Sequence, residues 1–103
     1  IYYIMAQEES IQREDFEINF DKAARFVRKN ESLLSQEQKL KLYALYKQSK
    51  VGNCNTNRPG GMFNWERKAM WDEWNSLKEK NIKNPMQMYV DYLTSQVKDW
   101  EEL

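Results

Sequence analysis

The sequence predicts an all-α fold, a small four-helix bundle, on three observations. Strong helix breakers are few: Gly52, Gly60, Gly61, Pro59 and Pro85 are the only glycines and prolines among 103 residues. Good helix formers, namely Lys, Glu, Gln, Leu, Met and Ala, are abundant. Apolar residues recur at steps of three and four in separate stretches, the period of a helix with one buried face. A chain of this length is one domain's worth and can bury roughly two thirds of its unfolded surface around a single core.

Taken in order, Phe16, Phe20, Ala23, Ala24 and Val27 form one stripe of a helix over about residues 12–30, ended by the polar run Lys29-Asn30-Glu31-Ser32. Residues 1–12 precede it as an N-terminal extension, and the bundle proper spans 13–103. Within the extension, Ile1-Tyr2-Tyr3-Ile4-Met5-Ala6 is the longest apolar patch. It reads as a processed end, a boundary inside a larger chain, or an apolar strap against the body. It lacks the basic leader of a signal peptide, and no apolar run approaches the roughly 18 residues that span a bilayer. The expected location is cytoplasmic.

Ser35 with Gln38 is a capping-box pattern, and Leu42, Leu45 and Tyr46 follow as the stripe of a second helix over 36–51, which Gly52 terminates. The stretch from Gly52 to Gly61 is made of turn formers without helical period, so a long ordered loop is expected. Asn64 is placed to cap a third helix from Trp65, with Trp71, Trp74 and then Leu77 or Lys78 at helical spacing. For the fourth helix, Asn84 is a good N-cap and Pro85 sits at the favoured first position. Met86, Val90, Leu93, Val97 and Trp100 then repeat at alternating steps of four and three.

Formal charge is zero, with 16 basic and 16 acidic residues, which argues against a nucleic-acid partner held by general excess positive charge. The absence of histidine removes Ser-His and Cys-His pairs and the usual zinc sets. No catalytic residues are expected, nor a metal or resident cofactor. Cys54, the single cysteine, has no internal disulfide partner and reads as a small turn residue. The zero conceals a pattern. Residues 1–27 carry three basic against six acidic residues, residues 28–70 nine against three, and residues 71–103 four against seven, giving nets of −3, +6 and −3. Arg28, Lys29, Lys39, Lys41, Lys47, Lys50, Arg58, Arg67 and Lys68 make up the central block. An anionic partner is suspected there, with an ordinary solvated face as the alternative.

Helix two sharpens the suspicion. Tyr43 and Lys47 are i and i+4 on one face, Lys50 continues it, and Tyr46 lies beside it. A phenol ring next to an ammonium suits a purine ring and a phosphate, because the ring stacks while hydroxyl and ammonium donate to phosphate oxygens. Spacing alone leaves open that both tyrosines belong to the core and Lys47 to solvent.

At these residues the chain resembles the acyl-CoA-binding protein family. The resemblance is carried by Leu42-Tyr43-Ala44-Leu45-Tyr46-Lys47-Gln48-Ser49, then Val51-Gly52-Asn53-Cys54-Asn55, Arg58-Pro59-Gly60 and Trp71-Asp72-Glu73-Trp74-Asn75, with Phe20-Asp21-Lys22-Ala23-Ala24 in the first helix. It covers about residues 16–100. It implies a four-helix bundle in up-down-down-up order and a non-catalytic role: binding, transporting and buffering medium- to long-chain fatty acyl-CoA inside cells. Implied partners are fatty acyl-CoA itself and, transiently, acyl-CoA-using enzymes and membranes, with the protein a monomer.

By position, the resemblance implies that Tyr43 and Lys47 meet the adenine and 3′-phosphate, with Tyr46 adjoining. Arg28 falls where the family often has a lysine near the nucleotide, Tyr89 matches the helix-four tyrosine that closes over it, and Lys68 matches a helix-three lysine. Met70 departs from the pattern, standing where the family usually has a phosphate-binding lysine before W-D-x-W. Arg67, one turn earlier, is a candidate to supply that charge. Leu34 and Lys39 replace a usual proline and apolar residue, and Gly61 reads as an insertion, so chain-length preference is not carried over. Trp71 and Trp74 are expected to be mainly structural. Two alternatives of other classes stand beside the carrier: a helical protein-interaction module, and an acyl-CoA-binding domain of a larger CoA-metabolising enzyme.

Overall fold

The computed structural model describes the backbone of residues 2–103 and the side chains of residues 15–103. Four α-helices form, with no strand among the described residues: α1 (Tyr2–Lys29), α2 (Gln36–Lys50), α3 (Trp65–Leu77) and α4 (Pro85–Gln96). Single 3₁₀ turns lie at Glu31–Leu33, Lys78–Lys80 and Trp100–Glu102. α1 begins well ahead of the expected residue 12. Its leading stretch contains Met5, Ala6, Gln7, Glu8 and Glu9 and no glycine or proline, so nothing local stops the helix. Whether the apolar strap of residues 1–5 packs on the body lies outside the described side chains.

α2 starts as its sequence dictates. Ser35 Oγ accepts from the Gln38 N–H at 3.1 Å, and Gln38 Oε1 accepts from the Ser35 N–H at 2.8 Å, so both halves of the capping box are present. Such a cap is worth about 1 kcal/mol. At the other end Gly52, at φ 95°, takes the left-handed conformation that lets the chain leave the helix. α4 is equally local in origin: Asn84 Oδ1 accepts from the Gln87 N–H at 3.2 Å and Pro85 is the first helical residue.

Two expectations are corrected. Asn64 occupies the position before α3, but its amide donates to the Gly60 carbonyl at 2.6 Å and caps nothing. The turn at Gly61, φ 96°, brings that carbonyl within reach, and the exposed first turn leaves its N–H groups to water. The α4 stripe also stops short of Trp100. Val97 is extended and Asp99 is left-handed, so the chain reverses. Trp100 is nonetheless buried, its ring 5.7 Å from Phe26 on α1 and its indole N–H donating to Thr94 Oγ1 at 3.0 Å. The reversal lets one indole reach α1, which a straight helix would carry it past.

α2 packs on α3 and α4, and α1 packs on α4. Phe20, Ala23, Ala24 and Phe26 of α1 join Leu42, Ala44 and Leu45 of α2, Trp74 and Leu77 of α3, and Tyr89, Val90 and Leu93 of α4 in one core. Lys78, the alternative to Leu77, is exposed. Phe20 has no exposed surface and touches rings on two other helices, so Phe20→Ala is expected to lower stability by about 3–5 kcal/mol in urea denaturation. A loss under about 1 kcal/mol would contradict this packing.

Candidate functional site

A cavity of about 400 Å³ opens where all four helices contribute, within the size range of small-molecule sites. Ala24, Val27 and Arg28 come from α1 and Glu31 from the turn after it. α2 supplies Gln36, Lys39, Leu40, Leu42, Tyr43 and Tyr46, α3 supplies Glu66 and Met70, and α4 supplies Tyr89. The α2 residues recur at three- and four-residue spacing, so one face of this helix forms the longest wall.

Three rings support it. Tyr46 stacks on Phe20 at 5.7 Å between centroids, Tyr89 meets Phe20 edge-on at 5.1 Å, and Tyr46 and Tyr89 lie 6.4 Å apart. Tyr89 is almost fully buried, while Tyr43 and Tyr46 keep partial exposure. Burial pushes the Tyr89 hydroxyl well above the ordinary tyrosine range, aided by Tyr46 and opposed by Arg28. Burial raises Tyr43 as well, with a smaller contribution from Cys54. Both hydroxyls are therefore neutral donors at physiological pH. Cation charge at the cavity comes from Arg28 and Lys39, and the carboxylates of Glu31 and Glu66 lie in the same lining. The central positive block thus reaches the cavity only in part.

Of the residues singled out in the sequence, Arg28, Tyr43, Tyr46, Met70 and Tyr89 are brought together here. Lys47, Lys68 and Arg67 are not among the lining residues. The Lys47 ammonium sits over the Trp74 ring at 4.9 Å, and Lys50 turns the other way, over Phe20 at 5.5 Å, so the two do not continue one binding face. Lys68 Nζ donates to the Gly61 carbonyl at 2.6 Å. Arg67 is exposed, and the α3 residues that share the cavity are Glu66 and Met70, four apart. The three-residue step from Arg67 points to a neighbouring strip of the helix. Lys39, part of the central positive block read from the sequence, also lines the cavity, one turn before Tyr43. Gln36 and Leu40 were missed by sequence reading, and their three-residue steps to Lys39 and Tyr43 were the available signal.

α3 also holds the long loop. Trp74 donates its indole N–H to the Gly52 carbonyl at 2.9 Å, and Trp71 to the Thr56 carbonyl at 3.1 Å. Asp72 takes both a 2.8 Å bond from Arg58 Nε and a 3.0 Å bond from its terminal nitrogen. These bonds hold the Asp72 carboxyl below its usual range and raise Arg58. The two tryptophans therefore act structurally, and W-D-x-W and R-P-G are halves of one clamp.

A second concavity of about 520 Å³ is lined by Lys41, Ala44, Leu45, Glu73, Leu77, Tyr92 and residues 80–83 with Met88. Its Lys41 is already engaged, 3.4 Å from Glu37 and over the Tyr92 ring. The first cavity is the stronger candidate, because it alone gathers residues of the Tyr-rich helix-two motif with Arg28 and Tyr89.

Residues 17–93 match the family model described as Acyl CoA binding protein. The chain belongs to this family. It is 38% identical over 94 residues to acyl-CoA-binding domain-containing protein 6 of Xenopus laevis, covering 91% of this chain and 32% of that protein. It is 41% identical over 78 residues to an acyl-CoA-binding protein of Ricinus communis, covering 76% of this chain and 81% of that protein. The chain therefore spans about a third of the first relative. Among solved structures it resembles the crystal structure of Oryza sativa acyl-CoA-binding protein 2, with TM-score 0.65, 31% identity, and coverage of 84% of this chain and 96% of that one. The four-helix bundle is the fold they share.

Releasing the clamp tests its role. Asp72→Asn is expected to lower backbone NMR order parameters across Thr56–Gly61 while leaving those of α1 and α4 unchanged, with a melting temperature within a few degrees of the parent, since the ion pair is solvent-exposed. Unchanged order parameters in the loop would contradict it.

Proposed function

We propose that the chain binds medium- to long-chain fatty acyl-CoA without catalysing a reaction on it, and that it buffers and carries these thioesters in the cytoplasm as a monomer. The observation that carries the reading is the cavity in which Arg28, Tyr43, Tyr46 and Tyr89, from three helices of the family motif, meet around one space. Membership of the acyl-CoA-binding protein family supports it. Acyl-CoA-using enzymes and membranes are the transient partners of such a carrier. No described helix is long and apolar enough to cross a membrane.

In this reading the nucleotide head lies against the α2 wall. Tyr43 and Tyr46 offer ring faces, Tyr43 and Tyr89 offer neutral hydroxyl donors, and Arg28 and Lys39 meet phosphate charge. Lys47 joins only by leaving the Trp74 face, and Lys68 only by releasing the Gly61 carbonyl. Met70 supplies an apolar wall where the family usually has a cation. The apolar lining of Ala24, Val27, Leu40, Leu42 and Met70 receives the start of the acyl chain. Each buried methylene contributes about 0.8 kcal/mol, so the chain rather than the head supplies most of the affinity.

Titration calorimetry with palmitoyl-CoA and with free CoA decides the matter. Palmitoyl-CoA is expected to bind at least about a hundredfold more tightly than CoA. No heat with either ligand would overturn the proposal. Lys39→Gln is expected to weaken palmitoyl-CoA binding about tenfold, the worth of one charge-assisted hydrogen bond, while Arg67→Gln shifts it by less than about twofold. The reverse order would return the phosphate to the Arg67 strip of α3.

A further inference from the structure

Just before α3 the chain displays three large apolar side chains to solvent. Met62 is 87% exposed, Phe63 89% and Trp65 70%. They sit within four consecutive positions at the end of a loop that is otherwise tied down: Asn64 to Gly60, Lys68 to Gly61 and Arg58 to Asp72. The backbone beneath the apolar tip is thus tied down while its apolar side chains stay mostly in solvent. Solvent exposure of this kind is costly unless something covers it.

We propose that the Met62–Trp65 tip docks onto an anionic phospholipid bilayer and sets the mouth of the cavity on the lipid surface. The inference rests on the carrier reading above and names the surface that serves it. Three observations select a membrane over other occupants. Arg67 and Lys68 flank the tip against Glu66, and Arg58 is offset by its pairing with Asp72, so the flank keeps a net positive charge that suits an anionic surface. Phenylalanine and tryptophan are side chains that settle at the level of lipid headgroups. Three side chains, at about 150–250 Å² for each aromatic, fall short of the roughly 800 Å² that each partner contributes to a stable protein interface. Continuity supplies the functional link. Trp65 adjoins Glu66, and Glu66 and Met70 on the same helix line the cavity, so a tip seated in lipid places the acyl-binding wall beside the bilayer.

The test is co-sedimentation of the full chain with phosphatidylcholine vesicles, with and without phosphatidylserine, alongside calorimetry with palmitoyl-CoA in solution. The parent is expected to bind the phosphatidylserine vesicles. The triple variant Met62→Ser, Phe63→Ser, Trp65→Ser is expected to bind them at least about tenfold less while keeping its helical circular dichroism and its solution affinity for palmitoyl-CoA. Trp65→Ser alone should give an intermediate loss. Equal vesicle binding by parent and triple variant would overturn the docking role, as would a parent that binds palmitoyl-CoA but no vesicles. A parent dimer in sedimentation velocity that the triple variant abolishes would reassign the tip to a contact between copies. Tip-dependent vesicle binding without palmitoyl-CoA binding would sustain the docking surface and remove the carrier reading instead.

Discussion

The structure depends on Phe20. Its ring, wholly buried on α1, stacks on Tyr46 of α2 and receives the edge of Tyr89 of α4. Two of these three rings also face the candidate site. Aromatic contacts of this kind add about 0.5–1.5 kcal/mol each beyond the area they bury. The site is therefore not grafted onto a finished core. Its supporting wall is the core, and a ligand that meets Tyr46 and Tyr89 meets side chains already held by burial. Such preorganisation lowers the ordering cost of binding.

A second constraint lies on the opposite flank, where α3 orders a loop that has no regular structure of its own. Two indole N–H groups, one carboxylate and one ammonium from this helix reach Gly52, Thr56, Arg58 and Gly61 in turn. This division of labour explains why α3 contributes only Glu66 and Met70 to the cavity. It also explains the modest charge there: much of the positive central block is committed elsewhere, Lys47 to Trp74, Lys50 to Phe20 and Lys68 to the loop. In the carrier we propose, binding of an acyl-CoA leans on the acyl chain and on neutral tyrosine donors more than on a cluster of free cations.

What sequence reading captured was what local chemistry decides. The Ser35–Gln38 box, the Asn84–Pro85 start and the exit at Gly52 involve residues three or fewer apart or a single φ angle, and all are present. What it missed depends on distant atoms. Asn64 finds the Gly60 carbonyl only because the loop turns back at Gly61. Trp100 leaves the helical stripe to reach Phe26, more than seventy residues away. In the site, the motif indicated Arg28, Tyr43, Tyr46, Met70 and Tyr89 as neighbours, because their positions are fixed by rigid helices and buried rings. The destinations of Lys47, Lys50 and Lys68 were not readable, because each long stem has several partners within reach. For Tyr43 and Tyr46, core and cavity wall are not alternatives, since both pack against the core and line the cavity at once.

Intermolecular nuclear Overhauser effects between labelled protein and palmitoyl-CoA measure directly whether the ligand rests on the tyrosine wall carried by Phe20. Contacts are expected from adenine and ribose protons to Tyr43, Tyr46 and Tyr89, and from the first acyl methylenes to Leu40 and Met70. Contacts instead to Leu77, Ile82 and Tyr92, in the second concavity, would contradict that placement.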